Sequence, residues 1–562
     1  MVRNWMFLVA ATLLAAAPAG SLTRAATRSG DVEAPSVARF AWVSYEGKDG
    51  PPPPPGQYRN PILAGFYPDP SLLRVGRDYY LVNSTFTWFP GLPIFHSRDL
   101  VNWRQIGNAI DRPTQFDFSG LAVSRGIFAP DLSFHNGRYY LVGTCTDCGG
   151  NFVMTARSPA GPWSDPVWLK SVEGIDPSLF FDDDGEAWLV NNRAPEGEPL
   201  YSGHRAIWME RFDPVKLRMM GNPKLIVNGG IDLSKKPVWI EGPHILKVGG
   251  KYYLCAAEGG TSVNHSQVIL RADKVDGPYV PAPASVNPIL TQRDLDPARP
   301  GPITSAGHAE LVKLPNGKWW AAFLATRPYR DNLYNIGRET FLLPVTWRGG
   351  WPIILDHGKS IPMTLPRPLP ADKPAPPQTG SFSWREDFKG AKLGPAWMTM
   401  RGAPVTVVNG LRLDARRDGI GDLGKPAFAG RRQQHDLATV TTLVAFSPRE
   451  GESAGLAAIQ NDDDFLTVAL TRREGKLVVR VARRAGKDDP REGITVAEYP
   501  VATSGPVGLR IRTDHGLYSF DMREGGAWIT IAKDVDATNL STDKAGGFVG
   551  TMIGPFAQGV RE

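Results

Sequence analysis

The chain has 562 residues, a net charge of +6 and a sequence pI of about 9.0. Its Lys and Arg residues are spread along the sequence. There is no basic block interleaved with aromatics and no helix-turn-helix or zinc-finger spacing, which argues against nucleic acid as a partner. Sixty glycines and fifty prolines punctuate the chain every few residues, a pattern of many short strands rather than long helices.

The N-terminus carries one positive charge, Arg3, followed by an apolar run from Met6 to Ala17 and a small-x-small site at Ala17-Pro18-Ala19. Residues 1–19 therefore read as a secretory signal peptide, and the chain is expected to be exported to the periplasm or the medium. No later apolar run reaches the roughly 18 residues a membrane span needs, so no membrane association is expected after signal removal. Residues 20–57 read as a flexible, Pro-rich lead that ends in the stiff run Pro51 to Pro55.

Between residues 65 and 325 a short pattern recurs five times, each time a glycine turn leading into an aromatic-rich strand. The copies are Gly76 to Tyr79-Tyr80, Gly137 to Tyr139-Tyr140, Gly185 to Trp188, Gly250 to Tyr252-Tyr253 and Gly317 to Trp319-Trp320. A period of this size built from strands and turns predicts a five-bladed β-propeller over residues 58–360. Three cysteines are present, and Cys145-Thr-Asp-Cys148 has no second pair to complete a metal cage, which leaves a local disulfide or two idle thiols.

Seven prolines fall in the sixteen residues from Pro362 to Pro377, which marks residues 361–379 as an interdomain linker. Residues 380–562 then alternate in the manner of Gly455–Gln460, Phe465–Leu470 and Leu477–Ala482. Strands at about ten-residue spacing predict an antiparallel β-sandwich of the concanavalin or jelly-roll kind, and the whole chain as all-β.

Eleven or twelve residues before the second aromatic of each repeat stand Asp69, Phe128, Asp176, Glu241 and His308. Equivalent positions in successive blades surround one axis, so these side chains are expected to converge. Prolines on both sides of Asp69 predict extended geometry leading into the first blade's inner strand, and Ile175-Asp176-Pro177-Ser178 is nearly a copy of that site. Glu241 follows Trp239-Ile240, and an apolar setting raises a carboxyl's pKa toward that of a working proton donor. Carboxyl groups opposed in two different environments are what glycoside hydrolysis uses. A catalytic metal would want ligands closer in sequence, so no cofactor is expected, and a single structural calcium is the most the pattern allows. No Gly-x-Ser-x-Gly elbow, nucleotide loop or His-Glu-x-x-His helix is present.

The run Asn60–Ser71, together with Ser84-Thr85-Phe86-Thr87-Trp88, resembles the opening of glycoside hydrolase family 43. Ile175-Asp176-Pro177-Ser178, Glu241-Gly242-Pro243-His244, Gly307-His308-Ala309-Glu310 and Gly337-Arg338-Glu339-Thr340 follow in the same order as in that family. Glu386-Asp387-Phe388, Gly430-Arg431-Arg432-Gln433-Gln434 and Gly546-Gly547-Phe548-Val549-Gly550 are similar to the sandwich of its β-xylosidase and α-L-arabinofuranosidase branch.

The resemblance implies roles. Asp69 would be the general base, Glu241 the general acid, and Asp176 the residue that orients the acid and tunes its pKa. Phe86, Phe128, Thr261, His308 and Arg338 would line the sugar site. A sandwich loop, expected around Phe428 to Gln434, would lean over the propeller mouth. Phe128 stands where many members have Trp, and Glu310 where Asp is more usual. The family inverts stereochemistry, which asks for carboxyls about 6.5–9.5 Å apart.

The implied activity is exo-acting removal of terminal xylose from xylan-derived oligosaccharides, with release of α-L-arabinofuranose from arabinoxylan as the alternative. The related invertase group carries a Trp-Met-Asn-Asp-Pro-Asn-type motif absent here. A catalytically silent sugar-binding protein would not need Asp69, Asp176 and Glu241 together.

Overall fold

The computed structural model describes residues 35–560, which form strands and turns almost throughout. The leader expected over residues 1–19 lies outside the described residues. Five antiparallel sheets make the propeller, and their innermost strands are Ser71–Val75, Asp131–His135, Ile175–Phe181, Glu241–Val248 and Thr304–Lys313. Each of these strands packs against the next around the ring, and Thr304–Lys313 returns to Ser71–Val75.

The recurring glycine and aromatics have a local cause. In each blade the innermost strand hairpins into the aromatic-bearing second strand. Asn136 and Gly137 carry that turn with φ 47° and 74°, and Gly249 and Gly250 with φ 59° and 77°. Two-residue turns of positive φ match the twist of the flanking strands, and glycine adopts them without a Cβ penalty. The aromatics that follow fill the layers between blades, as Tyr80 does against Tyr139 at 5.7 Å.

All four strands of the fifth blade come from one stretch of chain, so no shared strand closes the ring. Closure falls to the segment before blade one. Gln57–Arg59 pairs with Thr364–Pro366 in the Pro-rich linker. Asn60 Nδ2 donates to Leu342 O at 3.0 Å, and Leu342 N donates back to Asn60 Oδ1 at 2.9 Å. The Tyr58 hydroxyl donates to the same carbonyl at 2.5 Å.

The second domain is a sandwich with a contiguous apolar core between its sheets. Here the structure corrects the expectation of a flexible lead over residues 20–57. Val37–Lys48 is a twelve-residue strand inside the sandwich, paired to Leu437–Ala445 on one side and to Leu411–Asp414 and Phe382–Glu386 on the other. The physical reason is burial. Ala38, Phe40, Val43 and Tyr45 point into the core, with a register shift between Phe40 and Val43 that interrupts their alternation.

The two domains share structure. Trp88–Phe89, from a loop of blade one, pairs with Met398–Met400 at the end of the other sandwich sheet. Phe66, Phe86 and Trp88 of the propeller pack in one buried cluster with Met400, Phe428 and Phe556 of the sandwich. Arg401, fully buried, donates to Leu121 O at 2.6 Å and pairs with Asp462, which accepts from Val123 N at 3.0 Å. The Cys145–Cys148 bond is formed, and Cys255 is a buried free thiol.

If Val37–Lys48 is a core strand, Phe40→Ala costs about 3–5 kcal/mol, the usual range for truncating a buried Phe. The exposed Glu46→Ala on the same strand changes stability by less than about 0.5 kcal/mol. Denaturant unfolding of the two variants checks this, and equal midpoints would sink the assignment.

Candidate active site

At the mouth of the propeller axis lies a pocket of about 360 Å³. Asp69, Phe86, Phe128, Asp176, Glu241, Thr261, His308 and Arg338 all line it, so every side chain singled out from the sequence is brought together there. The backbone explains how. Asp69, Asp176 and His308 have φ of 50°, 53° and 51°, and Phe86 has 52°. The inner strands carry register shifts at Ile175/Ser178, Glu241/His244 and Thr304/Gly307. A bulge at the head of a strand re-aims one side chain, and here it turns that side chain toward the axis. Left-handed backbone is costly for a residue with a Cβ and concentrates at functional sites.

Asp69 accepts Arg338 Nη1 at 2.6 Å and Ser84 Oγ at 2.5 Å. Burial alone would raise its carboxyl, but the Arg338 charge and the Ser84 hydrogen bond override burial and hold it below the usual carboxylate range. Glu241 is in the opposite state. Burial first, then the charges of Asp176 and Asp69, push it well above the ordinary glutamate value. Its one hydrogen bond to a side chain comes from Thr261 Oγ1, at 3.2 Å from Oε1.

Asp176 is pushed up to about 7, by burial and then by Asp69, while Gly242 N donates to its Oδ2 at 3.2 Å. Asp176 thus grips the backbone beside Glu241 and adds a like charge next to it. A Cβ on Gly242 would lie 2.8 Å from the His308 ring, so only glycine fits there. His308, driven down to about 3 by burial, is a neutral imidazole 3.9 Å from Asp69.

Two aromatic lining residues, Phe548 and Trp239, carry no mark of the blade period. Phe548 comes from the sandwich and stacks on Phe86 at 6.0 Å, edges against Phe128 at 5.6 Å and takes the Arg338 guanidinium on its ring at 5.7 Å. It belongs to the Gly546–Gly550 motif but has no place in the blade period. The segment expected to lean over the mouth, Phe428 to Gln434, does not line the pocket. It lies mostly in the strand Ala427–Arg432 behind it, where Arg432 Nε donates to Phe66 O at 2.5 Å and Gln434 Nε2 to Ala64 O at 3.0 Å. The second residue is Trp239, at the pocket rim two positions before Glu241.

Beyond the catalytic layer, three residues farther along two of the inner strands and two along a third, Asp131, His244 and Glu310 bring ligand atoms within 4.8 Å of one another. Calcium takes six to eight oxygens. Here one Asp131 oxygen already accepts from Ser133 Oγ at 2.8 Å and Leu179 N at 3.0 Å, and Glu310 accepts from Leu72 N at 2.6 Å. His244 is raised to about 9, because the charges of Glu310 and Asp131 outweigh its burial. The cluster thus offers one ring nitrogen and two carboxyls already engaged by protein donors, a set that does not suit calcium.

Hydrolysing a glycosidic bond takes one carboxyl that keeps its proton and one that has lost it. Asp69 and Glu241 are such a pair, walled by aromatic rings, and the fold and site together define a glycoside hydrolase. Residues 58–352 match Glycosyl hydrolases family 43, and residues 385–562 match the Beta xylosidase C-terminal Concanavalin A-like domain. The chain belongs to family 43, whose chemistry needs no cofactor.

A "Xylosidase/arabinosidase" of Butyrivibrio fibrisolvens is 35% identical over 518 residues, covering 89% of this chain and 95% of that protein. A "Non-reducing end alpha-L-arabinofuranosidase" of Bacteroides ovatus is also 35% identical, over 89% of this chain and 91% of its own length. Among solved structures, a GH43_12 protein from a capybara gut metagenome superposes with TM-score 0.85 at 39% identity, covering 93% of this chain and 100% of that one.

The electrostatics predict a pH effect. A carboxyl whose pKa is raised stays protonated to higher pH, and a neighbouring negative charge adds to that rise. Asp176→Asn removes one such charge beside Glu241, so the alkaline limb of kcat/KM against pH moves to lower pH. An unmoved alkaline limb would contradict the coupling.

Proposed function

We propose that this chain is an exo-acting, inverting β-xylosidase that removes terminal xylose from xylan-derived oligosaccharides. The observation that carries the reading is the opposed protonation of Asp69 and Glu241 in one small pocket. Asp69, held ionised by Arg338 and Ser84, takes a proton from water. The resulting hydroxide attacks the anomeric carbon on the face opposite the leaving group. Glu241 gives its proton to the glycosidic oxygen as the C–O bond breaks. Asp69 then releases its proton to solvent and Glu241 regains one, so each turnover consumes one water. Asp176 orients Glu241 through the Gly242 amide and keeps it protonated by charge repulsion.

Exo-action is supported by the closure of the pocket. Phe548 and Phe86 cap one side, and Arg338 fills the space between Asp69 and Phe548, which suits a chain end better than an internal residue. Arg338 lines the pocket and offers a rigid fork of donors that suits sugar hydroxyls. A second reading, release of α-L-arabinofuranose, is supported by one relative named for that activity and another named for both sugars. Export to the periplasm or medium is part of this proposal. The apolar run from Met6 to Ala17 supports it, as does the Cys145–Cys148 disulfide, a bond favoured in oxidising compartments.

The test is p-nitrophenol release from the β-D-xylopyranoside and the α-L-arabinofuranoside side by side, with Asp69→Asn as control. Turnover of the xyloside, lost in the control, is expected, and turnover of the arabinofuranoside alone would select the second reading. NMR of the first-formed sugar should show the α-anomer of xylose, and the β-anomer would overturn inversion. Glu241→Gln should slow xylobiose hydrolysis by about 10²–10⁴-fold while costing activated aryl xylosides far less.

A further inference from the structure

Trp239 has a conformation that packing does not repay. Its φ is 58°, in the left-handed region, where a bulky side chain is an outlier. Such strain persists only when the surroundings enforce it. Yet 36% of the residue is exposed, so it is not held there to fill a core.

The enforcement is visible. Trp239 N donates to Gly203 O at 2.8 Å, and Gly259 N donates to Val238 O at 2.8 Å, which clamps the chain on both sides. The Arg205 guanidinium lies over the indole at 5.0 Å. Arg205 is itself fixed by two bonds to Asn192 Oδ1, at 2.9 and 2.7 Å, and Asn192 Nδ2 donates to Ile240 O. Trp239 lines the pocket and Arg205 does not, so the cation backs the ring and leaves the indole presented to the pocket.

Position says what the ring is presented to. Trp239 and Glu241 both line the pocket, with one residue between them. Ile240, between them, is fully buried in the blade core. The proton on Glu241 goes to the leaving oxygen, so whatever sugar leaves must lie on this side. A xylopyranose ring carries no exocyclic CH₂OH, and its flat C–H faces suit an indole.

We infer that Trp239 is the platform for the sugar on the leaving-group side of the cleaved bond, and that it selects xylo-oligosaccharides over simple glycosides. This rests on the xylosidase reading above and goes beyond it by assigning the second sugar.

The experiment measures calorimetric binding of xylose and of xylotriose to the Asp69→Asn protein, with Trp239 intact and with Trp239→Ala or Trp239→Phe. The platform predicts that Trp239→Ala weakens xylotriose about tenfold and leaves xylose unchanged, with Trp239→Phe recovering most of the loss. Equal weakening of both sugars would mean a purely structural role and would overturn the inference, as would no weakening of either. Failure of the Trp239-intact protein to bind either sugar would instead overturn the xylosidase reading, and the platform with it. In the Asp69-intact enzyme, Trp239→Ala should lower kcat/KM for xylotriose about tenfold more than for methyl β-D-xyloside, and equal losses would again overturn it.

Discussion

The contact between Asp69 and Arg338 is where chemistry, ring closure and domain assembly meet. Asp69 stands at the head of blade one and Arg338 just before the third strand of blade five, 269 residues later. Their ion pair therefore spans the seam at which the propeller closes. The same guanidinium reaches the sandwich through Phe548, whose carbonyl accepts from Nη2 at 3.3 Å. A buried charge left without its partner is strongly destabilising, so neither residue can be lost without leaving the other uncompensated. The electrostatic state of the pocket follows from this pair. Because Arg338 keeps Asp69 negative, Asp69 in turn raises Glu241 and Asp176.

Beneath that layer lies a second one with the opposite logic. Asp131, Glu310 and His244 form a buried group whose positive member is a side chain of the protein itself. Glu310, one carbon longer than the Asp more usual at its position, reaches the Leu72 amide of the neighbouring blade. Polar contacts between blades thus fill the axis. This fixes the angular position of the strands that carry Asp69, Phe128, Asp176, Glu241 and His308.

Much of the site was legible because repetition carried it. Asp69, Phe128, Asp176, Glu241 and His308 share nearly one offset from the blade aromatics, and at Asp176, Glu241 and His308 that offset has a physical cause in a bulge at the head of the inner strand. Phe548 had no such mark. It lies far beyond the last blade, which ends at Ile353, and only tertiary packing brings it to Phe86 and Arg338. Trp239 was missed because the offset points only to strand heads, and its role depends on a left-handed backbone that no residue type announces. Val37–Lys48 was misread for two reasons. A bulge breaks its alternation after Phe40, and its partners at Leu437–Ala445 lie about 400 residues away, out of reach of any local pattern.

That strand sets an order of events for the chain. Because Val37–Lys48 belongs in the middle of a sheet whose other members begin at Phe382, the propeller is an insertion within the sandwich. Domains usually fold as their residues emerge, N-terminal first. Here Val37–Lys48 must wait, unpaired, while the whole propeller is synthesised behind it. The last strand made, Met552–Gln558, then completes the opposite sheet, only a few residues after Phe548. The pocket is therefore finished only once Phe548 has been made, and a protein cut short before it carries Asp69 and Glu241 in a site still open on the side that Phe548 closes.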